Sequence, residues 1–306
     1  MIEPVSHGAD GRFAPSPSGP LHLGNLRTAL LAWLFARSAG ASFLVRVEDL
    51  DPQRSRREYE ELQLADLRAV GINWDSEPVR QSERFELYRG ALNRLVDAGH
   101  VYPCWCSRAE VRAAAEAHGP LPEGSYPGTC RRLSRAERGE RARTGDRPPA
   151  LRLDAGAETV WFRDRLLGGQ NGVVDDFVLW RGDGTPAYNL AVVVDDAAQG
   201  LAEVVRGSDL IDTTPRQLLL ARLLGLPEPI YAHVPLVLGA DGARLAKRHG
   251  SVTMADRRAL GETPVDVIAW MARSLGLAGD GERPSADELV ERFEPKRLPR
   301  EDTVLA

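Results

Sequence analysis

A chain of 306 residues with 43% apolar and 27% charged residues has the composition of a globular protein, and its length suggests about two structural units. Its longest apolar run, Ala29 to Ala36, falls well short of the ~18 residues of a membrane span, and Met1-Ile2-Glu3-Pro4-Val5 lacks the basic and apolar regions of a secretory signal. The net charge of −5 excludes an overall basic nucleic-acid footprint but leaves a local basic face open. Three cysteines confined between Cys104 and Cys130 point to a reducing, cytoplasmic setting with a local cysteine site and no membrane partner.

In chain order, Arg12-Phe13-Ala14 reads as a short strand ended by Pro15 and Pro17. A turn-rich run follows, and Gly24 to Ser38 then carries apolar residues at helical spacing. Ser42 to Glu48 is the next strand, so the start of the chain is a βαβ unit whose default is a right-handed crossover and a parallel sheet. Helices are expected near Arg54–Ala69 and Glu83–Ala98, the second capped by Ser82. From Tyr102 to about Pro149 the cysteines, a Gly/Pro-rich stretch and an arginine-dense run read as an insertion. Strands are expected at Ala150–Leu153, Val160–Arg163, Phe177–Trp180, Tyr188–Val194 and His233–Leu238. Helices are expected at Thr214–Leu224, Pro264–Leu275 and Ala286–Phe293.

Two loops carry phosphate chemistry. The turn Pro15 to Leu21 delivers the chain to a helix start, where free backbone N–H groups favour an anion, Gly24 admits close approach, and His22 and Asn25 add donors. Far downstream, Arg244-Leu245-Ala246-Lys247-Arg248 follows the turn dipeptide Asp241-Gly242, and Lys247 is one of only two lysines in the chain. A mobile cation there can neutralise a triphosphate as charge moves to the leaving pyrophosphate. Glu48, at the end of a parallel strand, suits an ammonium group, and Arg12 and Arg206 suit carboxylates. Cys104-x-Cys106 with Cys130 supplies three thiolates of a zinc tetrahedron, and residue chemistry nominates His118 as the fourth ligand. Seven arginines between Arg131 and Arg147 fit either an RNA backbone or a solvated face.

His22-Leu23-Gly24-Asn25 and Arg244-Leu245-Ala246-Lys247-Arg248 together resemble the paired signatures of class I aminoacyl-tRNA synthetases. Arg12 to Gly19, Arg46 to Asp51, Tyr188 to Asp196 and Val205 to Asp209 are similar, in order, to the catalytic half of glutamyl-tRNA synthetases. Two departures stand in the second signature, where Arg244 and Ala246 replace the usual lysine and serine. The resemblance implies an α/β fold with a Rossmann-type parallel sheet, a zinc-bearing insertion and a small C-terminal helical region. It implies ATP with Mg2+ as substrate and cofactor, with ATP held by His22, Gly24, Asn25, Arg244 and Lys247, and His22 and Lys247 catalytic. It implies L-glutamate held by Arg12, Ala14, Ser16, Glu48, Tyr188 and Arg206. It also implies one structural Zn2+ on Cys104, Cys106, Tyr126 and Cys130, with Tyr126 in place of His118.

The expected organisation is a first Rossmann half at 1–100, an inserted subdomain at 101–185, a second half with the signature loop at 186–255 and a helical region at 256–306. Only 56 residues follow Gly250, too few for an anticodon-binding domain. This shortened architecture resembles the glutamyl-Q tRNA(Asp) synthetase family. That family activates glutamate without tRNA and transfers it to queuosine in the anticodon of tRNA(Asp). Charging the 3′ end of tRNA(Glu), or an inactive zinc-containing RNA-binding module, are the alternatives left open.

Overall fold

The computed structural model describes residues 11–117, 125–245, 249–250 and 252–305. Strand β1 (Gly11–Phe13), helix α1 (Leu23–Ser38) and strand β2 (Phe43–Val47) form the expected βαβ unit, with β1 and β2 parallel and Arg12 opposite Leu44. Helix α2 (Arg57–Ala69) leads to the short β3 (Val79–Arg80), which runs parallel to β2. Helix α3 (Phe85–Asp97) starts without a side-chain cap. The expected cap, Ser82, instead donates its hydroxyl to Asp49 at 2.6 Å, because a short 3-10 turn intervenes.

The middle of the chain supplies β4 (Val101–Cys104), α4 (Arg108–Ala117), α5 (Arg135–Thr144), β5 (Ala150–Leu153), β6 (Thr159–Asp164), β7 (Gly168–Val173) and β8 (Val178–Trp180). Strands β4, β5 and β8 make a separate antiparallel sheet. Strands β6 and β7 leave that segment and join a second sheet of order β7-β6-β10-β9, with β9 (Glu203–Gly207) and β10 (Ile230–Val234) parallel throughout. Strand β9 lies against β1, so the two parallel halves meet side by side at that seam.

Helix α6 (Tyr188–Ala198) occupies the segment expected to start as a strand at Tyr188–Val194. Its run of Leu190 to Asp196 is buried on every side, so the apolar pattern has no period to read, and valines at consecutive positions mimic a buried strand. The expected strand His233–Leu238 is broken in two, β10 and β11 (Val237–Leu238), at Pro235, which has no N–H for a ladder, and Arg27 takes the carbonyls of Pro235 and Leu236, both at 2.8 Å. Helix α7 (Thr214–Leu224) begins with Pro215 near its start, where the missing N–H is not needed.

Helices α8 (Met254–Ala259), α9 (Pro264–Ser274) and α10 (Ala286–Arg292) complete the chain, and β12 (Thr303–Val304) pairs with β11. Helix α1 is buried on nearly every face, Arg27 included, because it packs against β1, β9 and α10. Phe35 meets Phe293 edge to face, with ring centroids 5.1 Å apart. Among the described residues no helix is long and apolar enough to cross a membrane.

Candidate active site

Ligands of open parallel sheets bind beyond the carboxyl ends of the strands, where the strand order reverses. Here that point is the seam between β1 and β9, and a cavity of about 290 Å³ opens there. Arg12 and Ala14 reach it from the end of β1, Glu48 from the end of β2, and Arg206 and Gly207 from the end of β9. His22, Gly24 and Asn25 enter from the start of α1, Tyr188 from the start of α6, and Arg244 from the loop after β11. The structure thus brings nearly all the sequence-derived candidates to one cavity. Ser16 is exposed and lines a neighbouring cavity of about 530 Å³, which shares Glu48 and Tyr188 with the first. Lys247 and His118 lie outside the described residues.

The first signature is built as a helix cap. His22 Nδ1 accepts the backbone N–H of Asn25 at 3.2 Å, and Asn25 Oδ1 accepts the N–H of His22 at 3.2 Å. An accepting Nδ1 requires a neutral ring, and burial with the nearby Arg244 guanidinium pushes the His22 pKa down to about 4. Gly24 leaves little room for a side chain, since a Cβ there would lie 3.0 Å from the His22 ring and 3.4 Å from Val237, and the ring would have to shift. The backbone N–H of Leu23 donates to Val252 at 2.8 Å and His22 bridges Thr253, which fastens the first signature to the chain just beyond the second. Arg244 pairs with Asp209 at 2.8 Å on the opposite wall.

Beneath the cavity runs a buried charge relay. Asp196 of α6 accepts Arg46 at 2.7 Å and Arg12 at 3.4 Å, and Arg46 reaches on to Glu48 at 3.3 Å. Burial raises the Glu48 carboxyl above its usual range, against the pull of Arg46 and Arg12, so a cationic ligand that meets it relieves a desolvated acid. Arg206 is different. Its side chain is 4% exposed, and it donates to His233 Nε2 (3.1 Å), Gln217 Oε1 (2.8 Å), Thr214 Oγ1 (2.8 Å), Thr213 Oγ1 (3.3 Å) and the Leu210 carbonyl (3.3 Å). All five acceptors are neutral. Among the described residues no carboxylate comes within the 4.0 Å of an ion pair with it. A buried guanidinium solvated by neutral dipoles, with Asp196 felt only at a distance and no carboxylate in direct contact, is built to meet an anion from outside.

The cysteines form a separate centre. The Sγ atoms of Cys104, Cys106 and Cys130 lie within 4.8 Å of one another. Tyr126 Oη sits 3.4 Å from Cys104 Sγ and 3.5 Å from Cys106 Sγ. Ligands of a zinc tetrahedron with ~2.3 Å Zn–S bonds stand about 3.8 Å apart, so these spacings fit the metal. The Cys130 N–H donates to the Tyr126 oxygen at 2.7 Å and the Arg152 guanidinium lies 3.8 Å from its ring centroid, two features that favour negative charge on this donor set. The cluster can hold zinc. In the arginine-dense run, Arg131 is tied to Asp154 and Asp176, and Arg138 to the Arg131 carbonyl, while no residue of α5 is buried.

Several residues of this site were not singled out by residue type. Asp196, Arg46, Asp209, His233 and Asp164 act through contacts across long stretches of chain. The one local signal was the doublet Asp195-Asp196 inside an apolar run. Both carboxylates are buried, Asp196 on Arg12 and Arg46, and Asp195 on Gln81, Arg84 and Tyr88.

Comparison with known proteins agrees with this geometry. Residues 10–302 match the family described as tRNA synthetases class I (E and Q), catalytic domain. A glutamyl-Q tRNA(Asp) synthetase of Nocardia farcinica is 59% identical, over 99% of this chain and 95% of its own length. One from Symbiobacterium thermophilum is 52% identical, over 95% and 94%. A glutamate–tRNA ligase of Oleidesulfovibrio alaskensis is 44% identical over 94% of this chain, which spans only 62% of that relative. The crystal structure of a glutamate tRNA ligase from Elizabethkingia meningosepticum, in complex with its amino acid, superimposes with a TM-score of 0.81 at 28% identity, covering 96% of this chain and 66% of that one. The Rossmann-type sheet, the cavity at its seam and these likenesses lead to one conclusion: the chain belongs to the class I tRNA synthetases of the E and Q group, in the family of the glutamyl-Q tRNA(Asp) synthetases.

Proposed function

We propose that this protein activates L-glutamate with ATP to glutamyl-adenylate without tRNA, and passes the glutamyl group to the queuosine cyclopentenediol in the anticodon of tRNA(Asp). The observation that carries glutamate as substrate is Arg206, a buried cation whose hydrogen bonds all go to neutral acceptors. A γ-carboxylate supplies the missing charge, and the amide of glutamine does not. Arg12 assists from β1, Glu48 takes the α-ammonium, and Ala14, Ser16 and Tyr188 shape the glutamate pocket. The acceptor nucleoside is supported by the names of the two relatives that match nearly end to end.

In the first step an oxygen of the glutamate α-carboxylate attacks the α-phosphorus of ATP, and the bond to the pyrophosphate leaving group breaks. His22, Gly24, Asn25 and Arg244 hold the nucleotide, and Lys247 follows the charge onto pyrophosphate. Mg2+, the usual companion of ATP in class I synthetases, neutralises phosphate charge when bound. In the second step a ring hydroxyl attacks the acyl carbon, AMP leaves and the hydroxyl proton is released. Placement of the two groups supplies most of this rate. Cys104, Cys106, Tyr126 and Cys130 are assigned to one structural Zn2+, which ties β4 to the segment before α5. The same reading keeps the Rossmann halves at 1–100 and 186–255 and a helical region at 256–306, with the cysteine cluster and the β4-β5-β8 sheet as the insertion within 101–185 that meets RNA, from which β6 and β7 return to the sheet of β9 and β10.

The test has two arms. Glutamate-dependent exchange of pyrophosphate into ATP is expected without any tRNA, with glutamine inactive. Labelled glutamate is then expected on the anticodon fragment of nuclease-digested tRNA(Asp), and on none when the tRNA lacks queuosine. An ester on the 3′-terminal adenosine contradicts the acceptor, and absence of exchange contradicts activation.

A further inference from the structure

Among the described residues, the hydrogen bonds of Arg206 lead to a carboxylate through an imidazole. His233, on β10, is fully buried, as is Asp164 at the end of β6. His233 Nδ1 lies 2.7 Å from Asp164 Oδ2, and Arg206 Nε lies 3.1 Å from His233 Nε2. An arginine can only donate and an ionised carboxylate can only accept, so both ends fix the ring: Nδ1 carries the hydrogen and Nε2 offers its lone pair. Asp164 is anchored in turn by the backbone N–H groups of Leu166 and Leu167, each at 2.9 Å, and of His233 at 3.1 Å. Tyr231 stacks on the His233 ring at 9°, with centroids 5.9 Å apart, and the Arg206 guanidinium lies 5.0 Å from the Tyr231 ring centroid. The Thr214 hydroxyl, which accepts from Arg206, stands 3.2 Å from His233 Nε2.

We propose that His233 is a specificity-determining positioning residue: relayed from Asp164, it aims Arg206 at the substrate side chain while keeping a carboxylate off the guanidinium. This rests on the reading of Arg206 as the γ-carboxylate receptor. The chemistry turns on the spacer. A carboxylate placed directly on Arg206 would orient it equally well but would cancel the charge that separates glutamate from glutamine. A neutral imidazole supplies direction without neutralisation. Asp164 keeps that imidazole in the accepting tautomer and is shielded from the substrate by the ring. Arg46 and Arg12, which do touch Asp196, do not have this arrangement.

The experiment compares two variants by glutamate-dependent pyrophosphate exchange. His233→Asn keeps a group near Nδ1 but withdraws the acceptor from Arg206. His233→Gln is long enough to restore an acceptor near the position of Nε2. The expected result for His233→Asn is a KM for glutamate raised about tenfold or more, as for loss of a hydrogen bond to a charged group. The KM for ATP is expected to stay within about twofold, and the preference for glutamate over glutamine to shrink. His233→Gln is expected to recover most of the glutamate KM. Equal KM values for glutamate in wild type and both variants, with only a lowered melting temperature, overturn the proposal, as does a parallel rise in both KM values.

Arg206→Ala separates the two levels. An unchanged glutamate KM in that variant removes the reading of Arg206 itself, whereas a raised KM there with no effect of His233→Asn removes only the relay. Nitrogen-15 spectra of the histidine-labelled wild-type enzyme require no variant to fold. A neutral His233 with hydrogen on Nδ1 is expected at pH 7, and an imidazolium or the opposite tautomer overturns the relay.

Discussion

His22 caps α1 with the same ring that lines the cavity, and the cap needs that ring neutral because Nδ1 accepts. Its pKa near 4 in the folded chain lies below the ~6.5 of an unfolded histidine. Between those values the unfolded chain takes up a proton that the folded chain refuses. This contribution to stability is therefore complete above about pH 6.5 and is lost as the pH falls toward 4. His22→Asn keeps a capping side chain without the titration. Its urea-unfolding stability is expected to fall less than the wild type's between pH 7 and pH 5, by roughly 1 kcal/mol after allowance for partial exposure. An identical fall in both proteins contradicts the assignment. For Lys247→Ala the expectation is an exchange kcat lowered about 100-fold with the glutamate KM little changed, as for loss of one group that meets transition-state charge. An unchanged kcat removes Lys247 from the mechanism. Residues such as His22, Gly24, Glu48 and Arg206 were legible because they sit in ordered motifs with a chemical role. Asp164 and His233 were not: they are 69 positions apart, and each alone reads as an ordinary strand residue.

At the level of elements, α6 carries the lesson. A run of valines promised a strand, but burial on every side removed the periodicity that separates strand from helix, and tertiary contacts decided. The helix sends its two adjacent carboxylates in different directions, Asp196 to the cavity floor and Asp195 to Arg84 and Tyr88. Asp196→Asn would leave Arg12 and Arg46 sharing a neutral partner in a buried site, at an expected cost of about 3–5 kcal/mol in denaturant unfolding. A loss below about 1 kcal/mol would show that Glu48 and Asp195 suffice to hold Arg46. Capping boxes fix the starts of the last two α-helices: Thr263 with Asp266 at α9, and Ser285 with Glu288 at α10. The break between β10 and β11 had a local signal, Pro235, which has no N–H for a ladder; the partner that takes the freed carbonyls, Arg27, lies more than 200 positions away and left none.

For the whole molecule, the two parallel sheets meet only because β9 returns beside β1 after a long excursion, a juxtaposition that no local pattern records. The ordered resemblance to a known catalytic half supplied it. The excursion contains the cysteine cluster, and Tyr126→Phe removes the oxygen of the proposed fourth ligand while preserving the ring. Its zinc affinity, measured by competition with a chromophoric chelator, is expected to drop by about tenfold or more, with glutamate-dependent exchange retained. Unchanged affinity returns the fourth position to His118 or to solvent. The proposed function depends on one convergence: the start of α1 and the loop after β11 are to share a nucleotide while Arg206 holds an acidic side chain beside it. A crystal structure with a non-hydrolysable glutamyl-adenylate analogue tests this directly. The expected result is the adenylate against His22 and Gly24 with the γ-carboxylate on Arg206; an analogue bound elsewhere, or one whose side chain points away from Arg206, contradicts it.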